Sequence, residues 1–175
     1  MRKHNLAFID IETTGLDITK HEIIEIGCVI VSPGLEVIEE FELKIKPKHI
    51  EDANKVSLKI SHYSEEKWVD AVSLKKALEF LAVKTEGCIM VGQNVAFDSG
   101  FLEYAFSKTK IKNTMHYHRL DTISIAWAKF HKDVSFDHFS LREMCLRFGI
   151  VNAHAHTALS DARATFALYK KLMNL

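Results

Sequence analysis

Two carboxylates stand two residues apart at the end of an apolar run near the start of the chain. Leu6 to Ile9 is the apolar run, and Asp10 and Glu12 follow it. In a β-strand, residues i and i+2 point to the same face, so both carboxylates share a face with Leu6 and Phe8. Burial and mutual repulsion are costly for two charges this close, and a bound divalent cation offsets both costs. The pair is therefore a candidate metal site.

A third carboxylate, Asp98, lies in the segment Asn94-Val-Ala-Phe-Asp98, which follows a short apolar run. A helix is predicted to begin near Phe97. The macrodipole at a helix start favours a carboxylate, so an N-cap is the ordinary interpretation of Asp98 taken alone.

The last predicted helix carries a fourth carboxylate, Asp161, among small residues that let a helix approach a sheet closely. His156 precedes Asp161 by five residues, and within one helix that spacing would place the two side chains about 140° apart. Both can face one site only if His156 comes from the loop before the helix and Asp161 from its first turn. Taken alone, His156 is more typical of a surface or cap residue, and Asp161 of a solvated helix position.

The elements that must position these residues are strands first and then strands alternating with helices. Apolar patterning predicts strands over roughly 4–12, 21–31, 35–46, 88–91 and 118–120. Helices are predicted over 68–84, from about 97, over 121–131 and 140–148, and from about 157. Ser32-Pro-Gly34 predicts a hairpin turn and Gly149 a helix end, while 47–66 is predicted to be irregular. This order predicts an α/β three-layer domain with a mixed sheet.

Taken together and in order, the motifs Asp10-x-Glu12, Asn94-x-x-Phe-Asp98 and His156-x₄-Asp161 resemble the DEDDh group of DnaQ-like 3′–5′ exonucleases. That group includes the epsilon proofreading subunit of DNA polymerase III, ribonuclease T and oligoribonuclease. The resemblance runs from Phe8 to about Leu172. It implies a single exonuclease domain over 1–175 with a ribonuclease H-like fold: a mixed central sheet of about five strands with helices on both faces.

The same resemblance implies a two-metal-ion mechanism. Asp10, Glu12, Asp98 and Asp161 would hold two Mg²⁺ or Mn²⁺ ions, and His156 would be the general base for the attacking water. Carboxylate oxygens are hard ligands suited to these ions, and the sequence has no thiolate cluster to select zinc. An ordinary histidine pKa of about 6.5 suits turnover near neutrality. The product would be a 5′-mononucleotide released from a 3′ end.

Substrate contacts are implied as well. Thr13 and Thr14 would offer hydrogen-bond donors to the terminal 3′-hydroxyl and phosphate. Leu16 would wedge against the terminal base, and Asn94 and Phe97 would line the same pocket. Stacking and wedging tolerate any base, so trimming without sequence preference is expected. For Leu16 and Phe97, plain core packing is an equally good interpretation.

A few neighbouring residues carry weaker indications. Gln93 stands where many relatives have histidine, and His154 is a second imidazole that could compete with His156. Asp121 is predicted to be an N-cap, because it opens a helix. His116 and His118 alternate as a metal pair would, but without a third ligand in register. Six lysines could steer a phosphate backbone, although solvated surface is the simpler interpretation: Lys44, Lys46, Lys48, Lys108, Lys110 and Lys112.

Bulk composition limits the classes of function. Lys plus Arg equals Asp plus Glu, so the formal net charge is zero, which argues against affinity based on bulk charge. The three cysteines lie in apolar contexts and are predicted to be core thiols. The sequence predicts neither a leader nor a membrane span, and a reducing cytoplasm is the expected location.

Three functions remain open at this stage. The first is a 3′–5′ exonuclease on single-stranded ends, with DNA favoured, of the proofreading or end-trimming type. The second is an exoribonuclease or oligoribonuclease with the same site, since recognition of the 2′-hydroxyl is not visible in a sequence. The third is an inactive module that binds nucleic acid or a polymerase. The chain ends soon after the last predicted helix, which favours a stand-alone nuclease over one with a polymerase-binding tail, and the oligomeric state is not predicted.

Overall fold

The computed structural model describes residues 3–136 and 138–175. Within them, one sheet has the strand order β3-β2-β1-β4-β5. The strands are β1 (Leu6–Thr13), β2 (Ile23–Val31), β3 (Val37–Lys44), β4 (Ile89–Gly92) and β5 (Arg119–Asp121). The first three pair antiparallel, with the predicted turn at 32–34 between β2 and β3, while β4 and β5 add in parallel. The prediction of a mixed sheet is confirmed.

Six α-helices follow or interleave with these strands in the described part of the chain. They are α1 (Lys55–Ile60), α2 (Leu74–Lys84), α3 (Val95–Thr109), α4 (Thr122–Phe130), α5 (Leu141–Phe148) and α6 (Ala158–Met173). Ser73 and Ser140 cap α2 and α5 through their side chains, and Gly149 ends α5 in the left-handed region, as predicted.

In two places the structure differs from the sequence prediction by more than two residues. The segment 47–66 contains the 3₁₀ turn Ile50–Asp52 and helix α1, so its prediction as irregular is wrong; α1 buries no residue and therefore shows no apolar periodicity. Helix α2 begins at Leu74 rather than near Trp68. Trp68 is buried, and its ring N–H donates to the Ile24 carbonyl at 2.8 Å.

Helices cover both faces of the sheet. Ala7, Ile9 and Ile11 of β1 face a core that includes buried side chains of α2 and α3. Leu6 and Phe8 face the other side, where the rings of Phe166 and Tyr169 from α6 contact Phe8 at centroid distances of 5.0 and 5.3 Å. Helices α4 and α5 pack against the far side of α6 through a smaller core. This is the predicted three-layer arrangement.

The end of β1 is the part of the sheet that matters for chemistry. Strand β4 pairs only with residues 6–8 of β1, so Asp10 and Glu12 extend past it and pair only with Gly27 and Glu25 of β2. The register of that pairing shifts between Glu12 and Thr13, where the strand bends into the following turn. None of the described helices is long and apolar enough to cross a membrane.

Candidate active site

Asp10 and Glu12 lie on the face of β1 that α6 covers, among other carboxylates. Burial raises the pKa of Asp10 well above its usual value, and Asp98, Asp161, Glu12 and Glu25 raise it further. Burial also raises the pKa of Glu12 to about 8, with further contributions from Asp161, Glu25 and Asp98. Among the described residues no Lys or Arg contributes to either shift. The end of β1 therefore gathers acidic groups that lack a compensating cation among the described residues, which favours their protonated forms.

Asp98 reaches this end of β1 from the first turn of α3. Its side chain is 4% exposed, and its Oδ1 accepts the Ile11 N–H at 3.0 Å, between the two β1 carboxylates. Burial raises the pKa of Asp98 to about 7, although hydrogen bonds from the N–H groups of Ile11 and Asp98 itself lower it. The interpretation of Asp98 as an N-cap is wrong, because Asn94 holds that position with φ 63°.

Asp121 performs the capping that Asp98 does not. It caps α4 as predicted, since its carboxylate accepts the Ile123 N–H at 2.8 Å. The same carboxylate accepts the N–H groups of Asn94 at 3.2 Å and of Val95 at 3.1 Å. One side chain thereby fixes the start of α3, and with it the position of Asp98.

His156 and Asp161 complete the group from the other end of the chain. His156 lies in the loop before α6 with φ 66°, and Asp161 lies in the first turn of that helix, as the five-residue spacing requires. Glu12, His156 and Asp161 each provide one potential metal-ligand atom, and these three atoms lie within 4.8 Å of one another. The His156 N–H also donates to Asp161 Oδ2 at 3.2 Å, which ties the loop to the helix.

Asn152 and Ser160 orient Asp161 from behind. The Asn152 Nδ2 donates to Asp161 Oδ1 at 2.5 Å, and the Ser160 hydroxyl donates to Asn152 Oδ1 at 2.6 Å. Sequence reasoning did not find this pair, because short polar side chains beside a loop are common and carry no distinctive spacing.

Two residues of β2 that the sequence analysis missed hold α6 against the site. Glu25 is 1% exposed, and its Oε1 accepts the Ala158 N–H at 2.8 Å. Burial raises the pKa of Glu25 to about 7 although that hydrogen bond lowers it, and Glu42 raises it further. Gly27 leaves room for the helix backbone, since a Cβ there would lie 2.1 Å from the Ala158 carbonyl carbon. The sequence did contain one indication of this role, because Glu25 is an acidic residue in the otherwise apolar strand β2.

The predicted substrate residues at the end of β1 and in the turn that follows divide into buried and exposed ones. The Thr13 hydroxyl donates to the Gly15 carbonyl at 2.7 Å, and the Thr14 hydroxyl accepts the Glu22 N–H at 2.8 Å, so both shape the turn. Leu16 is 79% exposed, which excludes the alternative of core packing.

On α3, Asn94 is exposed and its side chain forms no capping bond, whereas Phe97 is half-buried. The Phe97 ring packs on Phe101 at 5.0 Å and joins the edge of the core. Gln93 is structural, because its amide donates to the Phe139 carbonyl and its oxygen accepts the Thr122 hydroxyl, both at 2.5 Å. Contacts of Thr13, Thr14, Leu16, Asn94 and Phe97 with a substrate stay predictions.

Comparison with known proteins decides the family. The family model for exonucleases named RNase_T matches residues 7–169. The chain belongs to this exonuclease family. It is a DnaQ-like 3′–5′ exonuclease domain, that is, a phosphodiester hydrolase that acts on nucleic acid.

Curated relatives of this exonuclease domain are much longer proteins. It is 30% identical to the PolC-type DNA polymerase III of Thermotoga petrophila, with 98% of this chain but 12% of the polymerase covered. It is also 30% identical to the 3′-5′ exonuclease DinG of Staphylococcus saprophyticus, with 96% of this chain and 18% of that protein covered. The chain thus spans less than a fifth of either relative.

Solved structures share the exonuclease fold at lower identity. E. coli exonuclease I in complex with a dT13 oligonucleotide superposes with a TM-score of 0.81 at 17% identity, over 97% of this chain and 41% of that one. A 3′-exonuclease that recognises a histone mRNA stem-loop superposes with a TM-score of 0.75 at 18% identity, over 97% and 64%. Both confirm the predicted α/β fold.

Exonucleases of this family use divalent metal ions, and the donor set of this domain fits such ions. The candidate ligands are carboxylate oxygens and one imidazole, which suit hard cations such as Mg²⁺ and Mn²⁺. The three cysteines are free and buried, as predicted. Burial and Asp161 raise the pKa of Cys145, which keeps that nearby thiol protonated.

A cavity of about 320 Å³ opens beside His156 and Asp161, between α5 and the loop before α6. Its walls are largely apolar and include Leu141, Leu146 and Ile150, and Arg142 is the cationic residue among those that line it. His156 and Asp161 are thus reachable from solvent on the α5 side.

Proposed function

We propose that this exonuclease domain, acting as one unit over 1–175, removes 5′-mononucleotides from the 3′ ends of single-stranded nucleic acid, with DNA favoured. The observation that carries the proposal is the convergence of four carboxylates and one histidine at the end of β1. An arrangement in which so many like charges are buried together is costly for folding alone, so it indicates a functional requirement.

In this proposal Asp10, Glu12, Asp98 and Asp161 hold two divalent ions, Mg²⁺ or Mn²⁺. When bound, these ions would neutralise the carboxylates and stabilise the charge that develops on the phosphate and the leaving oxygen. The protein's own part is to keep the ligands in place. Asp98 is fixed by the Ile11 N–H at 3.0 Å, and Asp161 by the Asn152 side chain at 2.5 Å.

His156 is the proposed general base. It is exposed, so water reaches its imidazole, and its backbone bond to Asp161 holds the loop that carries it. The imidazole would take a proton from the water that attacks the terminal phosphodiester, while the bond to the departing 3′-oxygen breaks. The group of neighbouring ligand atoms in the described chain includes His156 rather than His154, which favours His156 for this role.

The terminal nucleotide is proposed to sit on the turn after β1. Leu16 presents an exposed apolar side chain that can wedge against a base, and Phe97 and Asn94 would line the opposite side. Thr13 and Thr14 would approach the 3′-hydroxyl and the terminal phosphate, chiefly through the turn that their hydroxyls shape. None of these proposed contacts involves the hydrogen-bonding edge of a base, so we expect the domain to remove nucleotides without sequence preference.

The test is a digestion with Mn²⁺ or Mg²⁺ of 5′-labelled single-stranded DNA and RNA of the same sequence. We expect a ladder that shortens from the 3′ end, faster on DNA, and no cleavage by a folded Asp98→Asn variant. Equal or faster digestion of RNA would assign the domain to the exoribonuclease alternative. Folded wild-type protein that cuts neither substrate with either ion would leave only the inactive binding module.

The similarity to PolC-type polymerases supports one further proposal, that the domain proofreads beside a DNA polymerase. Proofreading requires frayed, mismatched ends to be removed faster than paired ones. On primer–template DNA we expect faster removal of a mismatched 3′ nucleotide than of a matched one. Equal rates on the two primers would contradict a proofreading role while leaving end-trimming intact.

A further inference from the structure

A second cavity lies away from the carboxylates, on the side of the sheet that α2 and α3 cover. It has a volume of about 440 Å³ and opens between the start of β2, the segment after β3 and the two helices. Its floor is apolar and consists of nearly buried side chains of Ile23, Ile45, Phe101 and Ala105. Lysines line its walls, and we call it the lysine groove; these are Lys46, Lys48, Lys75 and Lys108.

The charge of the lysine groove is strongly positive although the whole chain has a net charge of zero. Its only lining carboxylate among the described residues is Glu22, and the Oε2 of Glu22 accepts the N–H groups of Lys48 and His49, both at 2.8 Å. Within the described ranges, no ion pair involves Lys46, Lys48 or Lys108. The N-terminus of α2, which also lines the groove, adds its positive dipole.

Two residues that line the lysine groove pack against neighbours of the proposed pocket for the terminal nucleotide. His21 lines the groove and packs against the turn before Leu16, since a Cβ on Gly15 would lie 2.4 Å from His21 Nε2. On the α3 side, Phe101 of the groove floor contacts the ring of Phe97 at 5.0 Å. The groove therefore lies next to the turn that carries Leu16 and to the helix that carries Phe97.

We infer that the lysine groove holds the single-stranded segment that lies 5′ of the terminal nucleotide, an inference that rests on the proposed exonuclease function. Without bound ions the carboxylate cluster offers no attraction to phosphates, and the chain has no net charge, so affinity for a strand in EDTA requires a local basic surface. The lysines of the groove can pair with the phosphates of a strand. The apolar floor and the Tyr104 ring, which is 39% exposed at the groove, suit unpaired bases better than an acidic peptide.

The experiment compares a double variant, Lys46→Ala with Lys108→Ala, against wild type in two assays. Binding of a 5′-labelled 20-mer of dT is measured by fluorescence anisotropy in EDTA, where no hydrolysis occurs. Hydrolysis of a dinucleotide, too short to fill the groove, is measured with Mn²⁺. We expect roughly tenfold weaker binding of the 20-mer, and a slope of log affinity against log salt reduced by about 1.4 for two lost phosphate contacts. Dinucleotide hydrolysis should be unchanged.

Two controls make the result specific. The matched double variant Lys129→Ala with Lys132→Ala removes two exposed lysines at the end of α4, outside the groove, and should bind like wild type. Replacement of Lys46 and Lys108 by arginine keeps the charge and should restore the affinity of the 20-mer. Thermal unfolding of every variant confirms that each is folded.

Several outcomes would overturn the inference. Unchanged 20-mer binding and salt slope in the alanine variant would show that no strand lies in the groove. An equal loss of dinucleotide hydrolysis would place the lysines at the catalytic site instead. Displacement of the 20-mer by polyglutamate at equal charge would show a site for acidic protein. If wild type hydrolyses nothing, the exonuclease proposal fails, while the anisotropy data still decide whether the groove binds a strand.

Discussion

Replacing Glu12 with glutamine should make the metal-free protein more stable while it destroys activity. Burial and three neighbouring carboxylates raise the pKa of Glu12 from 4.5 to about 8. Glutamine has nearly the shape of protonated glutamate, so Glu12→Gln removes the charge without opening a cavity. The structure thus predicts that the Glu12 carboxylate, a proposed metal ligand, destabilises the metal-free fold.

The size of the effect follows from proton linkage. The folded protein holds the Glu12 proton up to about pH 8, whereas the unfolded chain releases it near pH 4.5. The folded state therefore binds more protons between these values, and the stability that this proton provides is lost as the pH rises. Each pKa unit corresponds to about 1.4 kcal/mol. After allowance for partial solvent access, we expect the variant to be more stable by about 2–4 kcal/mol at pH 8 and nearly equal at pH 4.5.

Chemical denaturation in EDTA at several pH values between 4.5 and 8 measures this difference. The matched control is Glu86→Gln, which removes a carboxyl on the exposed turn after α2 and should change stability little at any pH. Added Mg²⁺ or Mn²⁺ should stabilise wild type, by about 2.7 kcal/mol at a hundredfold excess over its dissociation constant, and the variant much less. Parallel stability curves for wild type and Glu12→Gln across this pH range would refute the reasoning.

Three further predictions concern positioning, catalysis and substrate. Gly27→Ala should lower the free energy of unfolding by about 2–4 kcal/mol and strongly reduce kcat, because the new Cβ displaces the start of α6. The control is Gly34→Ala in the hairpin turn, where a Cβ meets only ordinary contacts. Similar melting temperatures for the two variants would contradict the prediction. His156→Gln should reduce kcat by about 10²–10⁴-fold with little change in KM, while His154→Gln leaves kcat nearly unchanged. Single-turnover digestion distinguishes the two variants. A larger loss for His154→Gln would make His154 the general base. Leu16→Ala should leave the melting temperature unchanged and raise the KM for oligonucleotides several-fold, and an unaltered KM would remove Leu16 from the pocket.

Local periodicity was enough to predict half of the candidate site. The alternation along β1 placed Asp10 and Glu12 on one face, and the structure puts Leu6 and Phe8 on that same face against α6. The spacing of His156 and Asp161 required a loop followed by a first turn, which is what α6 provides. These inferences succeeded because each depends on the geometry of one element.

The features that were missed depend on contacts between distant segments. Glu25 bonds Ala158 across 133 residues, and no local pattern connects β2 with α6. Asp121, correctly predicted as a cap for α4, also fixes the start of α3, which relieves Asp98 of the capping role that its position indicated. Helix α1 was missed because it buries no side chain, so its only local indication is the cap at Asn54.

The placement of Asp161 on α6 has a consequence for the life of the chain. A ribosome releases Asp10, Glu12 and Asp98 long before it releases His156 and Asp161, and β1 can contact α6 only after the helix has been synthesised. A nascent chain therefore carries three of the four proposed metal ligands before the fourth ligand and the proposed general base exist. In the proposed mechanism, nuclease activity therefore begins only when the last helix of the domain has docked on β1.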